Sequence, residues 1–331
     1  MCLAVVRDPS DPSKTQFLKD EAAKLDKSED LTFCAGDLME PGSYDQAFED
    51  VWGVLHTAAI TPSKGEGPES IVQPAIDGTE NVIDSVKANK KSIQRFVNVA
   101  SAVTIISADK ASDTVFTDDD WNTWSTVERG DAFGYAKTLA EKMIFEDQEL
   151  KDSVGVVASI NPTIVIGPCF TKAQTEVGSA NIMTRCLEGK NAPNMILGYV
   201  DVRDVAKGAS LCFTNEPKTM DEQRFLLCAT KSMSFSELST IVKSRYPQAK
   251  GFSGAPMVAS YLFVGLNLPF LRKLIGFTEY MAYFGMTDFQ LDTTKSKTVL
   301  GLGEYRSFEQ TCKDSAESIG KWVFDDEDTT K

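Results

Sequence analysis

Short apolar runs alternate with helically spaced segments through the first 160 residues, and this alternation is what most limits the fold. Cys2–Val6 (CLAVV), Leu31–Ala35 (LTFCA), Val51–Thr57 (VWGVLHT), Arg95–Ala100 (RFVNVA) and Gly155–Ile160 (GVVASI) read as strands. Between them, helical spacing is expected over Ser13–Leu25, Tyr44–Glu49, Ile71–Val86 and Phe133–Phe145. Strands alternating with helices at this spacing form a parallel sheet with helices on both faces. Beyond residue 160 the periodicity loosens. Helices near Asn181–Leu187, Val202–Phe213 and Ser236–Tyr246 and a strand at Phe225–Cys228 are expected there. The predicted architecture is α/β: a doubly wound parallel sheet over residues 1–165, a smaller mixed α/β region over 166–322, and an acidic tail over 323–331.

The formal net charge is −14, which makes nucleic acid and anionic membranes poor partners. Any phosphate must be held by local cations or backbone amides. The seven cysteines are scattered, odd in number and without CxxC spacing. That argues against a disulfide framework or zinc site and for a reducing, cytoplasmic setting. A single histidine, His56, rules out a histidine metal cluster and any Ser-His-Asp triad built elsewhere in the chain. No metal is expected. Arg7 and Asp8 interrupt the start, so no secretory signal is read there. The most apolar stretch, Met257–Leu266, is broken by Asn267 and Pro269, well short of the ~20 residues a transmembrane helix needs. It reads as a helix covering a core or active site, with a monotopic membrane helix as the alternative.

Chemistry enters where the first strand ends in Arg7 and continues through Asp8-Pro9 to Lys14. A strand ending in a basic residue is where a dinucleotide-binding domain accommodates the 2′-phosphate of NADP. One such arginine is weak evidence; the ordered set that follows is stronger. It comprises Gly36-Asp37-Leu38, Val54-Leu55-His56-Thr57-Ala58-Ala59, Ser101, KTLAEK (137–142), NPTIVIGP (161–168) and VDVRDVA (200–206). In this order the chain resembles the extended short-chain dehydrogenase/reductases (NAD-dependent epimerase/dehydratase class), most closely the dihydroflavonol 4-reductase and cinnamoyl-CoA reductase branch.

The resemblance implies a Rossmann-like fold, NADPH as cofactor and a small-molecule carbonyl or alcohol substrate, in a monomer or dimer. It implies that Arg7 and Lys14 grip the 2′-phosphate and that Asp37 and Leu38 border the adenine. Thr57, Ala58 and Ala59 would line the cofactor, and Pro162 and Thr163 would sit by the nicotinamide. Lys137 would hold the ribose, and Ser101 would hydrogen-bond the substrate carbonyl. His56 is expected to be a structural strand residue. Asp201 and Asp204 are expected to cap and turn the chain at a helix start. Substrate-pocket candidates are Met183, Met195, Met257, Phe263, Leu266, Phe270, Tyr280 and Phe284, for which an ordinary core role is at least as good a reading.

Two departures from the pattern stand out. The chain opens at what the family makes its second strand. The first strand, the glycine-rich turn and the helix that binds pyrophosphate are not found. Gly65, Gly67, Gly265, Gly301 and Gly303 lack the strand–turn–helix setting. The strands on either side of the missing one are therefore expected to have unpaired edges; an incomplete chain, from a mis-called start or a partial gene, is the preferred explanation, and a shortened protein with altered strand pairing is the alternative. Second, Phe133 occupies the family's catalytic tyrosine position, four residues before Lys137. Tyr135, two residues before Lys137, lies about 200° round a helix from it. It could replace the missing phenol only if the helix began later or its register shifted.

The leading reading is an NADP(H)-dependent oxidoreductase reducing a small apolar or aromatic aldehyde or ketone, with Ser101 and Lys137 assisting and water or Tyr135 supplying the proton. The alternative is a catalytically impaired relative that binds a nucleotide or protein partner. A nucleotide-sugar epimerase or dehydratase is a weaker third reading.

Overall fold

The computed structural model describes residues 1–60, 68–110, 113–190, 196–230, 233–253 and 290–324. These form two compact units interleaved along the sequence. The first comprises Met1–Val99, Ala136–Ser159 and Asn215–Gln223.

In this unit β1 (Cys2–Val6) runs parallel to β2 (Leu31–Ala35), with Cys2 opposite Leu31 and Val6 opposite Ala35. Between them lies α1 (Pro12–Lys24). Asp11 caps it by accepting from the Ser13 N–H at 2.8 Å, and Pro12 occupies the first turn, where an N–H has no helical partner to lose. β3 (Gly53–His56) is parallel to β4 (Arg95–Val99), joined through α2 (Val72–Ala88). The expected helix at Tyr44–Glu49 is only a short 3-10 turn, Gln46–Phe48. One turn already buries Tyr44, Ala47 and Phe48, and Asp50, at φ +57°, reverses the chain before β3. Elongation would add too few hydrogen bonds to offset nucleation.

The sheet is interrupted at the place expected from the sequence. The strand order β10-β6-β4-β3 forms one four-stranded sheet, with β6 at Val156–Pro162 and β10 at Gln223–Leu227, while β1 and β2 form a separate pair. Among the described residues, β1 is paired only with β2 and β3 only with β4. Both strands still serve one core. Leu3 and Val5 pack against a cluster containing Val54, Ile83, Val86, Phe96, Ile144 and Leu150.

The second unit comprises Ala100–Tyr135, Ile160–Thr214 and Arg224–Lys331. Three short strand pairs lie in it. β5 (Val115–Phe116) is parallel to β12 (Gln290–Leu291), β7 (Ile164–Ile166) is parallel to β9 (Tyr199–Asp201), and β8 (Ile196–Leu197) is antiparallel to β11 (Met233–Ser234). Helices Ala180–Glu188, Val202–Thr214 and Phe235–Arg245 lie where helical spacing was read. A further helix, Phe308–Val323, was not anticipated. It buries Phe308, Cys312, Ala316 and Ile319, a stripe at helical spacing, against Met183, Leu187, Tyr199 and Leu238.

Met183, offered as a pocket residue, is fully buried in that core. Met195, Met257, Phe263, Leu266, Phe270, Tyr280 and Phe284 lie outside the described residues, as do the apolar run Met257–Leu266 and residues 325–331 of the tail. Among the described residues, no helix is long and apolar enough to cross a membrane.

Candidate active site

In the first unit, β1 delivers Arg7 to its carboxyl end, and Lys14 sits in the first turn of α1. Both side chains are exposed. The Asp8 carboxylate between them is turned onto Ser10, accepting from its N–H at 2.9 Å and its hydroxyl at 2.6 Å, so it does not neutralise either cation by direct pairing.

The Asp37-Leu38 turn follows β2 and is built from α2 by a residue that sequence reasoning missed. Asn81, buried in the helix, donates through Nδ2 to the Asp37, Leu38 and Glu40 carbonyls at 3.2, 3.2 and 2.8 Å, and its Oδ1 accepts from the Gly42 N–H at 2.9 Å. Gly78 lets the turn settle on α2: a Cβ there would lie 3.0 Å from that of Leu38. Asp37 Oδ1 accepts from the Met39 N–H at 2.9 Å. The signal for Asn81 was one amide embedded in the buried stripe with Val82, Ile83 and Val86.

The carboxyl ends of β3 and β4 bring His56 and Lys137 into one neighbourhood. His56 is buried and stacks on Phe96, ring centroids 6.2 Å apart. Burial, reinforced by the Lys137 charge, pushes its imidazole down to about 4. Lys137 comes from α3 (Ala132–Glu146) and directs Nζ to 3.4 Å from the Val99 carbonyl, at the last residue of β4. Burial pushes its ammonium below the usual range, while Glu141 one turn on acts the other way. Thr57, Ala58 and Ala59 are exposed beyond the end of β3.

In the second unit, Ser101 caps the 3-10 turn Ala102–Thr104, accepting from the Val103 N–H at 3.3 Å. That contact uses the oxygen and leaves the hydroxyl hydrogen for another acceptor. Phe133 lies in the first turn of α3 with its ring 40% exposed. Tyr135 is half-buried, and its N–H bonds regularly to the Asp131 carbonyl at 3.1 Å. The helix is thus formed from Ala132, without the late start that would turn Tyr135 towards the Lys137 face. Pro162 is buried at the end of β6, and Thr163 bonds through N–H and hydroxyl to the Leu227 carbonyl at 3.0 and 3.2 Å.

A model of the 3-beta hydroxysteroid dehydrogenase/isomerase family matches residues 8–209. The chain belongs to this family. It is 30% identical to tetraketide alpha-pyrone reductase 2 of Arabidopsis thaliana over 73% of this chain and 74% of that protein. It is 28% identical to a cinnamoyl-CoA reductase of Medicago truncatula over 97% and 88%. In fold it is similar to yeast methylglyoxal/isovaleraldehyde reductase Gre2 complexed with NADPH, with a TM-score of 0.74 at 22% identity, covering 97% of this chain and 91% of that one. The Rossmann-like α/β reductase fold expected from the sequence is therefore the one observed.

The family match ends just past VDVRDVA, and there the two aspartates are committed to architecture. Asp201 is buried. It accepts from the Arg203 N–H and guanidinium at 2.7 to 2.9 Å and from the Thr311 hydroxyl at 2.7 Å. Burial opposes its charge, but these donors hold the carboxyl below the usual range. Asp204 accepts from the Arg306 N–H at 2.9 Å. Among the described residues of this family member, no group of three or more His, Cys, Asp or Glu side chains could hold a metal ion.

The fit to a dinucleotide is partial. Two exposed cations at the β1–α1 junction are of the kind that suits a 2′-phosphate, and the Asp37 turn is pinned by the Asn81 amide. A glycine turn for the pyrophosphate is not found among the described residues. Gly301 and Gly303, at φ +76° and +74°, serve the turn after helix Thr294–Thr298 instead.

Proposed function

We propose that this protein is an NADPH-dependent carbonyl reductase that converts a small apolar or aromatic aldehyde or ketone to its alcohol. The observation that carries the reading is Lys137: a half-buried ammonium held at the carboxyl ends of parallel strands, where open α/β sheets bind their ligands, in a chain of this family. Relatives named as reductases of tetraketide alpha-pyrone and cinnamoyl-CoA support carbonyl chemistry, and the Gre2 complex supports NADPH.

Arg7 and Lys14 would hold the 2′-phosphate, the Asp37-Leu38 turn would border the adenine, and Thr57–Ala59, Pro162 and Thr163 would line the remainder. Bound NADPH supplies the hydride. The chain's part is to orient the carbonyl and stabilise the oxygen as negative charge develops there. Ser101 would donate its free hydroxyl hydrogen to that oxygen, and Lys137 would hold the ribose and contribute positive charge. The proton cannot come from Phe133. Solvent reaching the oxygen is the simplest donor, and the missing general acid makes a slow enzyme the expectation. We place it in the cytoplasm, in keeping with its free, scattered thiols.

One observation favours a second reading. With Phe133 in place of a phenol, the protein would bind NADPH without turnover. Steady-state NADPH oxidation with a panel of aromatic and aliphatic aldehydes, alongside NADPH titration calorimetry, separates the readings. Consumption with stoichiometric alcohol formation supports the reductase. Binding without consumption supports the impaired relative, and no binding of either nicotinamide dinucleotide contradicts both.

A further inference from the structure

Three buried side chains join the Ser101 turn to the first turn of α3. The Asn122 N–H donates to the Thr104 carbonyl at 2.8 Å, and its Nδ2 donates to the Val103 carbonyl at 2.7 Å. The same Nδ2 donates to Ser125 Oγ at 2.7 Å, and Ser125 Oγ donates to Asp131 Oδ2 at 2.5 Å. Asp131 Oδ1 accepts from the Gly134 N–H at 2.9 Å, which fixes the start of the helix beside Phe133. Asn122, Ser125 and Asp131 are 5%, 6% and 5% exposed.

The direction of this chain is determined. Asn122 Oδ1 accepts from the Trp124 and Ser125 N–H groups, both at 3.0 Å, so its two amide hydrogens must point to Val103 and Ser125. Ser125, accepting from Asn122, has its one hydrogen left for Asp131. From Asn122 outward, the links to Ser125 and on to Asp131 point towards the carboxylate at the helix N-terminus, while the Asn122 N–H and its other amide hydrogen point back to the Thr104 and Val103 carbonyls; linked hydrogen bonds of this kind polarise and strengthen each other. The packing is equally specific. A Cβ at Gly134 would collide with Asp131 Oδ2 and lie 2.9 Å from Ser125 Oγ. From the other side Arg224 donates to the Thr104 hydroxyl at 3.1 Å and to the Asp118 and Asp120 carbonyls at 2.9 and 2.6 Å, so the turn is clamped twice.

Resting on the reductase reading, we propose that Asn122, Ser125 and Asp131 form a buried positioning relay that locks the Ser101 turn to the start of α3 and so sets where the Ser101 hydroxyl meets the substrate oxygen. None of the three touches substrate; they act through Ser101. Displacing a polarising group by about 1 Å costs on the order of 100-fold in rate, so a broken relay is read in kcat.

The test compares Ser125→Ala, Ser101→Ala and the double variant, with Ser125→Thr as the variant that keeps the hydroxyl. Three quantities are measured: kcat, NADPH affinity, and hydrogen exchange at the Val103–Ile105 and Gly134 amides. Ser125→Ala is expected to lower kcat roughly 10- to 100-fold with NADPH affinity unchanged, to speed exchange at both sites together, and to cost nothing further in the Ser101→Ala background. Ser125→Thr is expected to restore kcat. An equal kcat loss with and without Ser101, or exchange that rises at one site alone, overturns the relay. If wild type binds NADPH but turns over no carbonyl, the reductase reading fails by itself. The exchange experiment then still decides whether the two turns are locked together. Should Ser125→Ala not fold, Asp131→Asn, which keeps shape and a cap acceptor, is measured in its place with the same outcomes.

Discussion

Phe133 lies four residues ahead of Lys137 on α3, its ring 40% exposed while the lysine ammonium reaches to 3.4 Å from the Val99 carbonyl. Residues at this spacing share one helix face. In the proposed site Lys137 is the cation that would tune a phenol at position 133, and Phe133 provides none.

Phe133→Tyr should therefore be a gain-of-function substitution. It restores a proton donor on the face that already carries Lys137. General acid catalysis contributes about 10²–10⁴-fold, so kcat for aldehyde reduction is expected to rise by at least roughly tenfold. The ring is partly exposed, so an added hydroxyl meets no burial penalty and thermal stability should change little. Stopped-flow reduction by the two proteins checks this.

Arg7→Ala should raise the KM for NADPH about 10- to 100-fold, the worth of one or two charge-assisted hydrogen bonds. It should leave the KM for NADH and kcat nearly unchanged, because the proposed contact is with the 2′-phosphate alone. Lys14→Ala should act in the same direction and more weakly. Parallel titrations with the two dinucleotides decide it.

His56 gives the fold an acid-sensitive term whose sign is fixed. Its folded pKa, about 4, is below the ordinary histidine value of 6.5, so the unfolded chain binds the proton more tightly. Stability from this group is fully present above pH ~6.5 and is lost as pH falls towards 4, to a total of about 3 kcal/mol. Urea denaturation of wild type and His56→Leu at several pH values should show a shallower acid decline in the variant.

The unpaired edges of β1 and β3 should be visible in hydrogen exchange. Amides of β1 not bonded to β2, and of β3 not bonded to β4, lack ladder partners among the described residues. They are expected to exchange on the order of 100-fold or more faster than those of β4, which has a neighbour on each side. Equal protection across β1, β3 and β4 would contradict the interrupted sheet.

Much of this was legible in the sequence because local signals and tertiary packing agree. CLAVV and LTFCA became β1 and β2, and the break beside them followed from strand order alone. The family segments from Asp37 to Val205 identified the reductase fold because several weak motifs occurred in order. Long-range polar contacts were not legible. Asn81 acts on a turn some forty residues earlier, and Asn122, Ser125 and Asp131 look like ordinary loop residues until the fold closes on them. The strands β5, β7 and β9 have two or three residues each, too short for a period-2 pattern to register. The helix Phe308–Val323 is different: its stripe of Phe308, Cys312, Ala316 and Ile319 is diluted in the sequence by buried positions that are small or polar, Thr311, Ser315, Ala316 and Gly320.

The most direct test is hydride transfer itself. The 331-residue chain is incubated with NADPH deuterated at the transferring position of the nicotinamide and with an aromatic aldehyde, and the alcohol is analysed by mass spectrometry and NMR. The reductase reading predicts one deuterium at the carbinol carbon, with one NADPH consumed per alcohol formed. An unlabelled product, or none despite saturating bound NADPH, would contradict it.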